Sequence, residues 1–381
     1  MKSDLFPLLE DIVFAEKNPE DTEREIIQLY ENLAGRSLAR GDPVRLVIET
    51  FTLALVLLRS KIDHSAKMNL LAYAIGDFLD HIGAPWNVTR LAATKATTTL
   101  QFTLSEAQNE AVIIPEGTRV TPNNEILFAT TATIEILAGE LTGLVYAECT
   151  ESGEQGNGFL PGQIKRLVDP FPYEMSVQNL TSSYGGTDIE SDENLRERIQ
   201  LAPESLSVAG PKGAYRFHAL SALSSVIDVA VIGPDDTDWC LPGNVYLYPL
   251  LTGGTLPEQD VLNKVFETCD EEFTRPDTDY LHVKAPEVIH YNLEATYWID
   301  RSRATQANQI QAAVKQAVAE WILWQKSKLG RDINPSELNH RMVAAGAKRV
   351  EIISPMFTVV KDWEVAINDS QSVTLGGLES G

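Results

Sequence analysis

The sequence predicts an α+β multidomain chain: an N-terminal helical arm, an antiparallel β domain and two small α/β modules of split βαβ type. Three observations carry this. Between residues 44 and 62, apolar side chains recur at alternating steps of four and three, the period of a helix seam. From about 94 to 158 the chain alternates apolar with polar residues, is rich in Thr and Val, and is punctuated by turn signals. Beyond Gly210, β-branched runs alternate with helical patterns, as small α/β modules require.

The arm is expected over 1–92. Asp42 followed by Pro43 reads as a helix cap with proline in the first turn. Val44, Ile48, Phe51, Leu55, Leu58 and Ile62 then form the seam, and Leu71, Ile75, Phe78 and Ile82 repeat its steps until Gly83 and Pro85 end the helix. Such a seam serves either a helix pair within the chain or one shared with another chain. The β domain is expected over 93–170, with strands in "TTTLQFTL", "EILFATTATIEIL" and "LTGLVYAEC" and turns in "PEGT", "TPNNE", "LAGE" and "GEQGNG". A carbohydrate-binding face there would want aromatics, and the block offers Phe102, Phe128 and Tyr146.

Residues 171–209 read as a linker. In "SYGGTDIESDENLRERI", Gly185 and Gly186 permit positive φ, Thr187 and Glu190 have capping-box spacing, and Ser191 is a second plausible helix start. Leu195 and Ile199 share a face, Arg196 and Arg198 flank them, and Pro203 is expected to end the helix. Gly185, Gly186, Thr187, Asp188, Leu195, Arg196 and Ile199 are therefore a structural joint: a tether presenting charged side chains on a short helix.

The first α/β module is expected over 210–286, with a helix from Ala214 to Leu223, strands "VIDVAVIG" and "NVYLYPLL", a helix capped by Thr255 and Glu258, and strand "YLHVKAP". The second, over 287–381, has strand "VIHYNLEATYWI", a helix carrying Ile310, Val314, Ala317, Trp321 and Trp324, a helix capped by Asn334, Pro335 and Glu337, strand "RVEIIS" and a C-terminal tail.

Composition restricts function. The formal charge is −23, with no basic run, which argues against nucleic acid and anionic lipid as partners. Three cysteines, Cys149, Cys240 and Cys269, write no disulfide framework, and a reducing compartment fits them. The N-terminal residues lack a signal-peptide layout, and the apolar segment Leu46 to Leu58 falls short of a bilayer span, so a soluble chain without membrane insertion is expected. No GxSxG, HExxH, Walker or EF-hand pattern occurs, and the six histidines have no ligand spacing. "GPDDTD" reads as a solvated turn rather than a cation site, and "GPKGAY" as a hinge rather than a phosphate loop. No metal, cofactor or catalytic residue is expected, and the chain is read as a non-enzyme.

The segments "IPEGTRVTPNNEILFATT", "GEQGNGFLPGQI", "SVQNL" and "GGTDIESDENLRERI", followed by "SVIDVAVIG" and "GNVYLYPL", resemble the baseplate J-like proteins of contractile phage tails and related injection machines. The likeness covers most of the chain beyond residue 100, and the Gly-Gly-Thr-Asp segment is its most specific part. It implies a structural wedge subunit that pairs with copies of itself and joins a smaller wedge subunit through a helical bundle. Such subunits close a ring around the tail hub, beside hub and sheath-proximal proteins. It also implies assembly in the bacterial cytoplasm and a place in the released particle. The alternatives are a receptor- or glycan-binding tail module and a particle-borne acidic polysaccharide hydrolase; the latter needs two carboxylates at a set separation, and no pair stands out.

Overall fold

The computed structural model describes every residue except 1, 2, 4, 7, 208, 209, 271–274, 277 and 381. The chain forms two compact units, residues 1–90 with 195–200, and residues 91–194 with 201–381.

The first unit is helical. Helix α1 (Pro19–Ala34) starts at Asn18, whose side chain accepts from the Glu20 N–H, and stops at Gly35, φ 65°, whose N–H donates to Glu31 O. Helix α2 (Val44–Lys67) starts as expected, with Asp42 Oδ1 accepting from Val44 N at 3.0 Å. The repeat through Leu71 and Ile75 is not a continued helix. The chain turns after Lys67, and α3 (Asp77–Gly83) begins only beyond Gly76, whose φ of 53° cannot propagate a right-handed helix. Met68, Ala72 and Tyr73 are buried in that turn.

The second unit begins with a nearly closed antiparallel sheet. Its strands are β1 (Lys95–Leu104), β3 (Arg119–Thr121), β4 (Phe128–Thr130), β6 (Thr142–Ser152), β7 (Arg166–Leu167) and β8 (Met175–Asn179), in the order β7-β3-β4-β6-β1-β8. Strands β2 (Val112–Ile114) and β5 (Ile134–Ile136) form a separate pair. Alternation puts Leu100, Phe102, Phe128 and Ala147 inside. Asn179 draws the ends together: its N–H donates to Ile164 O, and its Oδ1 accepts from Ile164 N at 2.8 Å. The linker expected from 171 is thus a correction. β8 pairs with β1, and residues beyond it stay on β1 through the bridges Thr97 with Tyr184 and Thr94 with Thr187. The segment "MSVQN" alternates exposure and burial, which holds it to the barrel.

Helix α4 (Asp192–Ser205) follows, then the first module: α5 (Lys212–Ala222), β9 (Val226–Ile232), β10 (Asn244–Leu251), α6 (Gln259–Cys269) and β11 (Tyr280–Val283). The second module is β12 (Glu287–Asp300), α7 (Ala307–Lys326), α8 (Pro335–Ala344), β13 (Arg349–Ser354) and β14 (Glu364–Glu379). Neither is a split βαβ. The parallel strands are direct neighbours, β10 with β11 and β12 with β14, whereas a split unit holds a strand between them. In the first module β9 already pairs with β10, so the crossover α6 delivers β11 to the one edge left. The expected Thr255–Glu258 cap is also absent: Thr255 O accepts from Leu251 N, and Glu258 caps α6 without a side-chain bond. Ala230, Ile232, Tyr248 and Leu250 of the first module pack with Leu329 and Val365 of the second. Asp228 is buried at that packing layer because its charge is satisfied: Oδ1 accepts from Arg216 Nη2 at 2.7 Å and from Val229 N, and Oδ2 from Leu329 N.

Candidate functional site

Helix α2 is apolar on the wrong side for a self-contained helix pair. Of the six seam residues only Ile48 is buried; Val44 is half-buried, and Phe51, Leu55, Leu58 and Ile62 are exposed, Phe51 by 61% and Leu58 by 53%. At 100° per residue, Leu46, Leu53 and Leu57 lie about opposite the buried stripe and are also exposed. The buried stripe holds Ile48 and two polar residues, Thr52 and Asp63, with half-buried Arg59 beside them. Arg59 Nη1 donates to Thr22 Oγ1 of α1 at 2.9 Å and its Nη2 lies 3.4 Å from Glu25 Oε2. Asp63 receives Lys17 Nζ at 2.5 Å, Phe14 N at 2.9 Å and Lys67 Nζ at 3.2 Å. The bond from Lys17, then that from Phe14, holds the Asp63 carboxyl well below the ordinary carboxylate range. The helix thus leaves an apolar face that α1 does not cover. Leu29 and Leu33 of α1 are exposed as well.

The two glycines of the expected joint meet different demands. Gly185 alone takes positive φ, 84°. Gly186 is required for room: a Cβ there would lie 2.3 Å from Gly153 O. Asn157 clamps it from both sides, Nδ2 donating to Gly186 O at 2.7 Å and Oδ1 accepting from Gly186 N at 2.9 Å. Thr94 Oγ1 donates to Gly185 O and lies 2.7 Å from Thr187 Oγ1. Ser224 Oγ of the first module donates to Asp188 O and lies within hydrogen-bond reach of Thr187 Oγ1, both at 2.8 Å. Thr187 therefore joins barrel to module instead of capping a helix, and Ser191 is the cap, accepting from Asn194 N at 3.2 Å. Pro203 does not end α4, which runs on to Ser205.

Nor is α4 a surface tether. Leu195, Arg196, Arg198 and Ile199 are all buried. Arg196 Nε donates to Leu71 O at 2.8 Å and its Nη2 to Ala74 O at 2.6 Å, while Arg198 Nη1 donates to Thr89 O at 3.1 Å. Arg196 holds carbonyls of the turn after α2, and Arg198 one beyond α3, where no helix ladder can. Sequence patterning placed them as flanks because their charge read as solvent-facing. The Asn157 and Asn179 clamps were missed altogether; "GNG" at Gly156–Gly158 was the local hint for the first.

A cleft of about 600 Å³ lies in the second unit beside the joint, lined by Glu154, Tyr184, Gly186, Glu258 and Lys264 among others. Burial, then the nearby Asp188 charge, pushes Glu154 upward. The "GPDDTD" turn is closed on itself: Asp236 Oδ2 accepts from Gly233 N at 2.7 Å, and Lys212 pairs with Oδ1. Among the described residues no group of three or more His, Cys, Asp or Glu could hold a metal, and no helix is long and apolar enough to cross a membrane.

Four family models match the chain in order: the baseplate J-like N-terminal domain at 41–97, the baseplate J-like barrel domain at 99–186, the central domain at 207–285 and the C-terminal domain at 291–375. Baseplate protein J of Escherichia phage P2 is 32% identical over 173 residues, 45% of this chain and 54% of that protein; the match spans about half of that relative's length. A chain of the sixfold-symmetrised cryo-EM structure of the anti-feeding prophage baseplate is similar over 92% of this chain and 90% of its own, with a TM-score of 0.41 and 12% identity.

Proposed function

The chain belongs to the baseplate J-like family, and from that membership we propose that it is a structural wedge subunit in the baseplate of a contractile tail or injection machine. In this reading it has no catalytic role. It pairs with copies of itself, takes a smaller wedge subunit through a helical bundle, and contributes to a ring around the tail hub next to sheath-proximal proteins. Assembly takes place in the bacterial cytoplasm, and the subunit leaves with the particle. The arm over 1–92 is the part that meets the smaller subunit.

One observation carries the bundle: α2 turns Phe51, Leu55, Leu58 and Ile62 outward while α1 covers its buried stripe. Burying each leucine against a partner helix is worth about 1.5–3 kcal/mol. The test is Leu58→Asp in the full chain, co-expressed with a smaller wedge subunit of the same particle. Because Leu58 is 53% exposed in the chain alone, the melting curve should match wild type while co-purification is lost. Retained co-purification would sink the bundle, and loss of melting stability alongside binding would make Leu58 ordinary core.

A further inference from the structure

The cleft beside the joint has two walls, one from the barrel and one from the first module. Ser224, bonded to Asp188 O, ties them together, and Asn157 fixes the barrel side through Gly186. The cavity of about 600 Å³ is therefore built before anything enters it. Half-buried Leu223, Leu251, Leu256 and Val261 make the module wall apolar. Leu160, 58% exposed, and Tyr184, 43% exposed, do the same on the barrel wall. Acids stand on both walls: Glu154 on the barrel, Glu258 and Asp260 on the module. Among the described residues none of these three carboxylates accepts a hydrogen bond or joins an ion pair. The dipole of α6 favours Glu258 and Asp260 where they are, but it does nothing for Glu154 on the opposite wall. Glu154 N donates to Asp188 Oδ1 at 3.1 Å, which sets a further carboxylate beside it. The one basic lining residue, Lys264, has its Nζ 3.8 Å from Glu267 Oε2, outside the cleft.

We propose that this cleft receives an extended segment of a different protein of the particle, one that presents an apolar side chain to the leucines and an adjacent lysine or arginine to the carboxylates. The inference rests on the reading of the chain as part of a multi-protein baseplate. Charge and lining together select the occupant. Three uncommitted carboxylates call for a cation, and nucleic acid and anionic lipid are repelled. A bare metal ion does not fit, because among the described residues no three acids come close enough together to hold one. The positive charge must instead be carried along the cleft by a side chain. Lysine and arginine do this while laying their methylene stems on apolar surface, which would otherwise stay wet. An arginine would also find the Tyr184 ring, on whose face a guanidinium stacks. Another copy of this chain is a poor source of the segment, since each copy carries a charge of −23 and whole copies repel. A net-basic neighbour is steered toward the same acids. Burial, then the Asp188 charge, pushes the Glu154 carboxyl upward, and a cation seated beside it would bring it back down.

Photo-crosslinking in the intact particle tests this, with p-benzoylphenylalanine in place of exposed Leu160 and mass spectrometry of the adduct after irradiation. The adduct should be a peptide of a different protein, with a lysine or arginine within about three residues of the attachment point, because an extended chain advances about 3.3 Å per residue. Glu154→Gln combined with Glu258→Gln should cut the adduct yield about tenfold with an unchanged melt, as two partly exposed ion pairs are lost. Glu267→Gln, outside the cleft, should leave the yield as it is. No adduct, an adduct confined to this chain or its copies, attachment to a segment without a cation, or a yield indifferent to the double glutamine variant would each overturn the proposal. The two readings fail differently. Particles that carry sheath and tube but lack this chain would overturn the baseplate reading and the cleft with it, whereas particles that contain the chain and give no adduct would overturn the cleft alone.

Discussion

Replacing Gly186 by alanine separates steric from conformational demand at the joint. Gly186 lies outside the left-handed region, so alanine is allowed there by backbone angle. Its Cβ, however, would sit 2.3 Å from Gly153 O, 3.0 Å from Asn157 Oδ1 and 3.1 Å from Ala96 N. None of these can yield alone. Gly153 N is bonded to Thr94 O, and Asn157 holds both polar groups of Gly186. Restoring ordinary contact asks for about 1 Å of backbone movement, which breaks at least one Asn157 bond. Overpacking costs about 1–3 kcal/mol and each lost hydrogen bond about 0.5–1.5 kcal/mol, so Gly186→Ala should destabilise the second unit by about 2–5 kcal/mol. Gly185→Ala is the control. Its φ is 84° and the nearest atom, Thr97 Oγ1, is 4.0 Å away, so it carries only a left-handed backbone cost of about 1–2 kcal/mol. Calorimetric melting of the three proteins should show a drop of roughly 5–15 °C for Gly186→Ala, and less for Gly185→Ala. A wild-type melt for Gly186→Ala, or a larger loss for Gly185→Ala, would refute the steric joint.

Arg196→Ala should loosen the turn after α2, since two charge-assisted bonds to Leu71 O and Ala74 O disappear from a buried site, at a cost of about 2–4 kcal/mol; hydrogen exchange at 68–76 should rise, and unchanged protection there would refute the clasp. Acid should release the N-terminal segment from α2. Asp63 is held below its ordinary value, so its contribution is present above the unfolded aspartate pKa, about 3.9, and is lost as pH falls through the folded value. Limited proteolysis near Phe14 and Lys17 should accelerate below about pH 4, and Asp63→Asn should show that susceptibility at neutral pH; equal cleavage of variant and wild type would count against it.

Much of the fold was readable because its signals are local. The caps at Asp42, Asn334 and Ser191 each bond a neighbouring N–H, so a few residues suffice to write them. The alternation in β1 and β6 is likewise a property of the strand itself. Legibility stopped where a residue answers to distant partners. Arg196 and Arg198 look like solvated flanks until the carbonyls of Leu71, Ala74 and Thr89 arrive from more than a hundred residues away. "MSVQN" looks like linker until β1 presents an edge for it.

The seam on α2 divides the two kinds of information most sharply. Its spacing, Val44 to Ile62, is written in the sequence and determines that these side chains share one face, because a helix period is intrinsic to the backbone. The same holds for the family segments around the double glycine, whose order along the chain is a linear property. Which face α1 covers is not linear. Only the tertiary structure decided that Thr22 and Glu25 meet Arg59, and that Lys17 meets Asp63, leaving the leucines outside. Pairing between helices depends on which charges and hydroxyls can satisfy one another across a gap, and periodicity carries no information about that partner. The two parallel strand pairs follow the same logic: β-branched runs mark strands, but only the occupied edges of β10 and β12 determine where β11 and β14 can bind.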